Sequence, residues 1–258
     1  MTIRRTIVGL CMLCALAASA FAAQGAVAKG TTAFTCKKTE KGGAGFSKAH
    51  CKAADAVGSG AAYEHVAIAP GTTTEISGTN SGTGSNTEST VPVKLKNTQN
   101  GVTYEIQAGK VSGIGSVTNA VEGEEHYVHG VAVVTFEELT LNPGSCEVEG
   151  GKITSKELKV TTKGQGDFVK FEPAAGSVMT EYTLKGCSPA SLNGVQEVTG
   201  SIKCPADGAT ISCTHNATTE LGTLKERTFK SGVEGSMTLK AKDPAAGDKE
   251  FTALSVTT

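Results

Sequence analysis

Five residues able to ligate metals or move protons fall within one short stretch: Glu122, Glu124, Glu125, His126 and His129. Carboxylates and imidazoles this close in sequence are the ingredients of a divalent-cation site. Their spacing argues against a single ligand face, because His126 and His129 are three apart and fall on opposite sides of a strand. If Glu122 to Glu125 form a turn, the acids read instead as a solvated tip. Other chemistries lack their signatures. Gly58-Ser59-Gly60 and Gly115-Ser116-Val117 miss the Gly-x-Ser-x-Gly of a nucleophile elbow, and Ser81-Gly82-Thr83-Gly84-Ser85 lacks the Gly-Lys-Ser/Thr of a phosphate loop. No Glu pair stands out as the two carboxylates that a glycosidase sets about a sugar. No catalytic residue, metal ligand or cofactor is assigned, and the chain reads as non-enzymatic.

The cysteines carry a second kind of chemistry. Cys11-x-x-Cys14 has redox or metal spacing but lies in an N-terminal segment of another character. There Arg4 and Arg5 precede an apolar run from Ile7 to Phe21, and Ala20-Phe21-Ala22 ends it with small residues. This order is that of a secretory signal over residues 1–22, cleaved before Ala23, with an earlier possible cut after Ala18-Ser19-Ala20. The run is shorter than the ~20 residues a spanning helix needs, and no later stretch is longer, so no membrane span is expected after cleavage. Six cysteines then remain: Cys36, Cys51, Cys146, Cys187, Cys204 and Cys213. An even number in an exported chain predicts disulfides. Proximity favours Cys36–Cys51 and Cys204–Cys213 and leaves Cys146–Cys187; the rival metal reading finds no Cys-x-x-Cys or Cys/His pair at ligand spacing.

The elements that must position these residues are strands. The chain has 258 residues with Gly 32, Trp 0, hydrophobic residues at 38% and charged ones at 19%, too few charges for a coiled coil and too little apolar content for a membrane bundle. A net charge of −1 without any basic stripe excludes nucleic acid as a partner. Val102 to Ala108 alternates apolar and polar, as do Val91, Val93 and Leu95 before it, and Asn97 to Gly101 between them supplies an Asn-Gly turn. The two runs predict a hairpin, with Pro92 marking its first strand as an edge. Val131 to Phe136 is apolar on both faces and predicts a central strand. Further strands are expected at Val178–Leu184, Val198–Cys204 and Val233–Ala241. Turn signals at Asn142-Pro143-Gly144, Glu149-Gly150-Gly151, Gly164-Gln165-Gly166 and Pro205 to Gly208 separate them. The expected fold is all-β, a β-sandwich or barrel-like, mainly antiparallel and disulfide-stabilised. Residues 23–70 form a Cys-containing segment packed on a main domain at 91–258. Residues 71–90 read as a Gly/Ser/Thr-rich loop or linker with a short strand at Thr73–Ser77, and Lys48–Ala56 is the best helix candidate.

Phe34-Thr35-Cys36-Lys37-Lys38, Gly43 to Cys51, Tyr63-Glu64-His65-Val66 and Lys163 to Pro173 resemble segments of a family of secreted all-β proteins abundant in soil actinobacteria. The resemblance spans most of the chain after the signal. It implies export and a bacterial source, and it transfers no functional residue. The functional expectation is a secreted, extracellular or cell-envelope protein acting as a structural or binding module, with a cell-surface or protein partner left open. Absent Trp argues against the aromatic platforms that receive sugar rings. Two other readings have structural discriminators. A cleft joining two carboxylates, or His126 with a serine, would mark a secreted hydrolase; a large apolar cavity would mark a small-ligand carrier with a barrel interior.

Overall fold

The computed structural model describes residues 29–47, 56–80, 92–99, 102–142, 145–166, 168–207, 210–214, 220–224, 227–242 and 251–257. The expected signal, residues 1–22, lies outside them, as does the expected helix except for Ala56. In chain order the strands are β1 (Lys29–Gly30), β2 (Thr32–Phe46), β3 (Ala56–Ala67), β4 (Thr73–Asn80), β5 (Val93–Gln99), β6 (Val102–Glu122), β7 (Glu125–Asn142), β8 (Glu147–Val148) and β9 (Ile153–Thr154). They continue with β10 (Leu158–Thr161), β11 (Phe168–Pro173), β12 (Val178–Lys185), β13 (Gly194–Thr199), β14 (Ile202–Asp207), β15 (Thr210–Thr214), β16 (Glu220–Leu224), β17 (Arg227–Lys242) and β18 (Phe251–Thr257). No α-helix occurs among the described residues, and all ladders but the parallel β1–β7 pair are antiparallel. The fold is all-β and barrel-like.

Local sequence explains the two hairpins at its centre. Gln99 pairs with Val102, which gives the expected hairpin of β5 and β6; Asn100 and Gly101 lie outside the described residues. Glu122 pairs with Glu125, and Gly123 supplies the positive φ of 63° that the tight turn requires. The edge expected from Pro92 is corrected. β5 has β6 on one side and β17 on the other, and Pro92 stands just before the first ladder pair, Val93 with Ala108, where no N–H is needed. The strand expected over Val198–Cys204 is two strands, broken at Gly200 with φ 101°. Within the segment read as a loop, the strand that begins at Thr73 runs to Asn80.

The pairings curl back on themselves. From β17 they lead through β4, β6, β7, β10, β11, β14 and β15 and return to β17. A second circuit leads from β17 through β5, β6, β7, β9, β12, β13 and β16, with the Ser155–Thr180 bridge joining the segment after β9 to β12. Three long strands, β6, β7 and β17, serve both circuits. β2 adds to β18 and β3 at one end. There the Asn119 amide donates to the carbonyls of Ala33 (2.9 Å) and Ile68 (2.8 Å) and accepts from the Ala33 N–H (2.8 Å).

A long strand keeps one face inward only while its alternation keeps phase, since side chains alternate with period two. On β6 the buried set changes phase, from Tyr104, Ile106 and Ala108 to Val111 and Val117. On β7 Val128 and Ala132 are buried, whereas Leu139 and Leu141 pack inward at the far end. The change falls at Gly109 and Glu138, which are skipped in the ladder between Ala108–Leu139 and Lys110–Glu137. Glu138 has φ 55°, alone among the described non-glycine residues in lying at positive φ. A Cβ on Gly109 would lie 2.9 Å from Glu138 Oε2, so the close approach suits glycine. The Asn80 side chain replaces the interrupted ladder: its amide donates to the Gly109 carbonyl (2.9 Å) and its oxygen accepts from the Val111 N–H (3.0 Å).

The largest apolar cluster, around Ile106, Ile153, Leu184 and Val198, belongs to the second circuit, and the Cys146–Cys187 disulfide lies at its margin. That pairing is the one expected by elimination. Cys36 and Cys204 are also disulfide-bonded; Cys51 lies outside the described residues and Cys213 is described in its backbone alone. Asn80→Ala is expected to cost about 2–4 kcal/mol in denaturant unfolding, because the buried Val111 N–H and the half-buried Gly109 carbonyl lose their partner. Glu138→Gly, which relieves the left-handed conformation, is expected to leave stability level or raise it by up to about 1 kcal/mol. A neutral Asn80→Ala would contradict this account of the phase change.

Candidate functional site

The wall lines a cavity of about 180 Å³ that draws on both circuits. Val128, Ala132 and Val134 of β7 face Val160 of β10, Val169 of β11 and Leu239 of β17 in the first circuit. Val93 and Leu95 of β5, Met179 and Tyr182 of β12 and Val198 of β13 line it in the second. Alternation puts these residues inside, and small residues leave the room: Gly78, Gly113, Ala132 and Gly235 lie along the lining. Among the described residues no Asp, Glu, His, Lys or Arg reaches it. The polar residues along the lining are Ser77, Ser155, Thr162, Thr180 and Tyr182.

At the second-circuit end the walls meet through neutral polar side chains. Asn97 and Tyr104 are a cross-strand pair on β5 and β6, and Tyr182 and Gln196 are one on β12 and β13. The Tyr104 hydroxyl donates to Gln196 Oε1 (3.1 Å) and lies 3.3 Å from the Tyr182 hydroxyl. Gln196 Nε2 donates in turn to the Leu192 carbonyl (3.1 Å). Burial pushes the Tyr182 phenol up to about 12, with hydrogen bonding to Tyr104 and Asn97 acting the other way. Burial also pushes the Tyr104 phenol far up, and the neighbouring Tyr182 adds to it. Asn97 is fully buried beside the Tyr182 hydroxyl.

The acid and histidine cluster lies elsewhere, at the β6–β7 turn. Glu122 pairs with Lys163 from the β10–β11 connection, and Glu125 Oε1 accepts from the Gly164 N–H (3.1 Å). Lys163 Nζ also lies 5.1 Å from the centre of the Tyr127 ring, whose other neighbour is His129 at 5.9 Å between ring centres. The His126 carbonyl accepts from the Thr31 N–H (2.8 Å). Glu124 stands exposed in the turn. Among the described residues no three His, Cys, Asp or Glu side chains come together as a metal-ligand set. The cluster fastens one turn to another through an ion pair and a backbone contact.

A second depression, of about 590 Å³, opens beside the disulfide, where Glu149 pairs with Lys185 at 2.5 Å. Its lining mixes the charged Glu147, Glu149 and Lys185 with apolar groups such as Leu139, Leu141 and Val148. The sequence reading missed Asn97 and Tyr182. A signal was present: Val93, Leu95 and Asn97 share one phase, so a strand extended by one pair turns Asn97 inward. No family model matches the chain, and neither the curated proteins nor the solved structures contain a match.

The two phenols make the fold sensitive to alkali. An unfolded tyrosine loses its proton near pH 10, whereas the folded chain holds that of Tyr182 until about 12. The stability carried by the protonated phenols is therefore whole below pH 10 and is lost as pH rises through 12. Unfolding free energy is expected to fall between pH 10 and 12, and Tyr182→Phe to lessen the fall by up to about 1.4 kcal/mol per pH unit. Identical slopes for the two proteins would contradict the burial of this phenol.

Proposed function

We propose that the chain is an exported, non-enzymatic binding protein that holds a small apolar molecule inside its barrel. The observation that carries the reading is the cavity of about 180 Å³ with its aliphatic lining. A dry cavity of about 150 Å³ lined by such residues is enough to accept benzene, and filling one recovers dispersion contacts that an empty wall forgoes. The described lining supplies no carboxylate, imidazole or amine for acid–base chemistry, which favours holding over turnover. Export rests on the basic and then apolar order of residues 1–22, and the Cys146–Cys187 disulfide accords with an oxidising compartment. The secreted-hydrolase reading has no comparable support, since neither two carboxylates nor His126 with a serine border the cavity.

Naphthalene, whose fluorescence reports on its surroundings, is a suitable probe, because the chain contains no Trp to interfere. Titration is expected to saturate with a Kd on the order of 0.1 mM, as a ligand of this size gains a fraction of a kcal/mol per atom. Val134→Phe, which fills the cavity, is expected to weaken binding at least tenfold. Val121→Phe, on an exposed position outside the lining, is expected to leave it unchanged. Absence of saturable binding, or equal binding by Val134→Phe and the parent, would overturn the reading.

A further inference from the structure

The residues that line the cavity are strung out along the strands rather than gathered around a point. β6 serves as a ruler. Val117 lines the cavity towards one end of that strand, and Leu95, which pairs with Ile106 on it, lines the cavity towards the other. From Ile106 to Val117 is about 35 Å of strand at ~3.3 Å per residue. Barrel strands lean by about 35–45° from the axis, which leaves roughly 25 Å along it. On β7 the lining runs from Val128 to Phe136, again about 25 Å of strand. A cavity of about 180 Å³ drawn out over such a length is a narrow channel. Near its middle Gly78 and Gly113 form a cross-strand pair, so neither β4 nor β6 sends a side chain into the passage at that level. Three of its hydroxyls are spent on the wall. Ser155 Oγ accepts from the Val134 N–H (2.9 Å), Thr162 Oγ1 accepts from the Val128 N–H (2.9 Å), and Thr180 Oγ1 donates to the Thr154 carbonyl (3.1 Å).

We propose that the cavity is a channel for one unbranched hydrocarbon chain, the tail of a neutral lipid such as a long-chain alcohol. The proposal rests on the reading of the cavity as a binding site and names the ligand class for it. A chain can lie along the channel from one circuit into the other, and every CH₂ group so buried adds to affinity. A compact molecule with as many carbons occupies one part and leaves the remaining wall without contacts. The described lining carries no Lys, Arg or His, so a carboxylate drawn in with its chain would lie without a partner.

Calorimetric titrations at neutral pH with 1-hexanol, 1-octanol, 1-decanol, decanoate and decahydro-2-naphthol test the proposal. The last has the carbons and hydroxyl of 1-decanol folded into two fused rings. Affinity is expected to rise about tenfold with each pair of CH₂ groups from 1-hexanol to 1-decanol. 1-Decanol is expected to bind at least tenfold more tightly than decahydro-2-naphthol, and more tightly than decanoate. Val160→Phe and Val198→Phe obstruct the channel in the first and second circuit respectively. Each is expected to weaken 1-decanol at least tenfold and 1-hexanol less than twofold, because the short chain still fits the other part. An affinity that levels off at 1-hexanol, or a decahydro-2-naphthol that matches 1-decanol, would overturn the channel and leave the cavity reading intact; both comparisons need the parent protein alone. Tighter binding of decanoate than of 1-decanol would overturn the neutral class. Failure of every probe, naphthalene included, to bind the parent would overturn both readings.

Discussion

The structure depends on one place where a hairpin turns itself over. Along β6 and β7 the ladder runs from Glu105–Asn142 to Glu122–Glu125, and it keeps its register throughout. The inward faces nevertheless exchange phase at Gly109 and Glu138. Without that exchange, one end of the hairpin would present Tyr104, Ile106 and Leu139 to solvent while the other faced inward, and a period-two strand offers no third option. Two adjustments make it tolerable: a backbone turned to positive φ at Glu138, and the Asn80 side chain standing in for the missing ladder bonds. The left-handed conformation costs on the order of 1–2 kcal/mol, an amount that the two Asn80 hydrogen bonds offset.

From this exchange follows the interior. Because β6, β7 and β17 serve both circuits, the space inside is shared between them, lined by β10, β11 and β17 on one part and by β5, β12 and β13 on the other. Large side chains would close it. Instead Gly113 stands opposite Met237, and Gly235 opposite Val93, where an added Cβ would lie 3.2 Å and 2.7 Å from side-chain atoms. The walls are thus tightly fitted at these points while the space between them stays open. Protein interiors rarely forgo packing at this scale. An open apolar space opposes stability and is intelligible if a ligand fills it.

Much of the framework was legible in the alternation. Val102 to Ala108, Val178 to Leu184 and Val233 to Ala241 are strands, β5 and β6 pair as a hairpin, and Cys146 joins Cys187. What escaped was non-local. Pro92 suggested an edge because nothing near it in sequence reveals β17, more than a hundred residues away, on its other side. Glu138 carries no signal for positive φ, which glutamate seldom adopts; the requirement arises from the opposite strand. Glu122 looked like a ligand or a free turn tip until Lys163, 41 positions away, was found beside it. Asn97 was read as the start of a turn because polarity ended the run, although the phase of the alternation continued through it.

The central claim is that both circuits line one apolar space able to hold a small molecule. Methyl-labelled protein saturated with naphthalene, measured for nuclear Overhauser contacts between ligand protons and side-chain methyls, tests it most directly. The account predicts simultaneous contacts to Val160 and Val169 of the first circuit and to Val93 and Met179 of the second. Contacts confined to outward residues such as Val121 and Val195, or none at all, would contradict it.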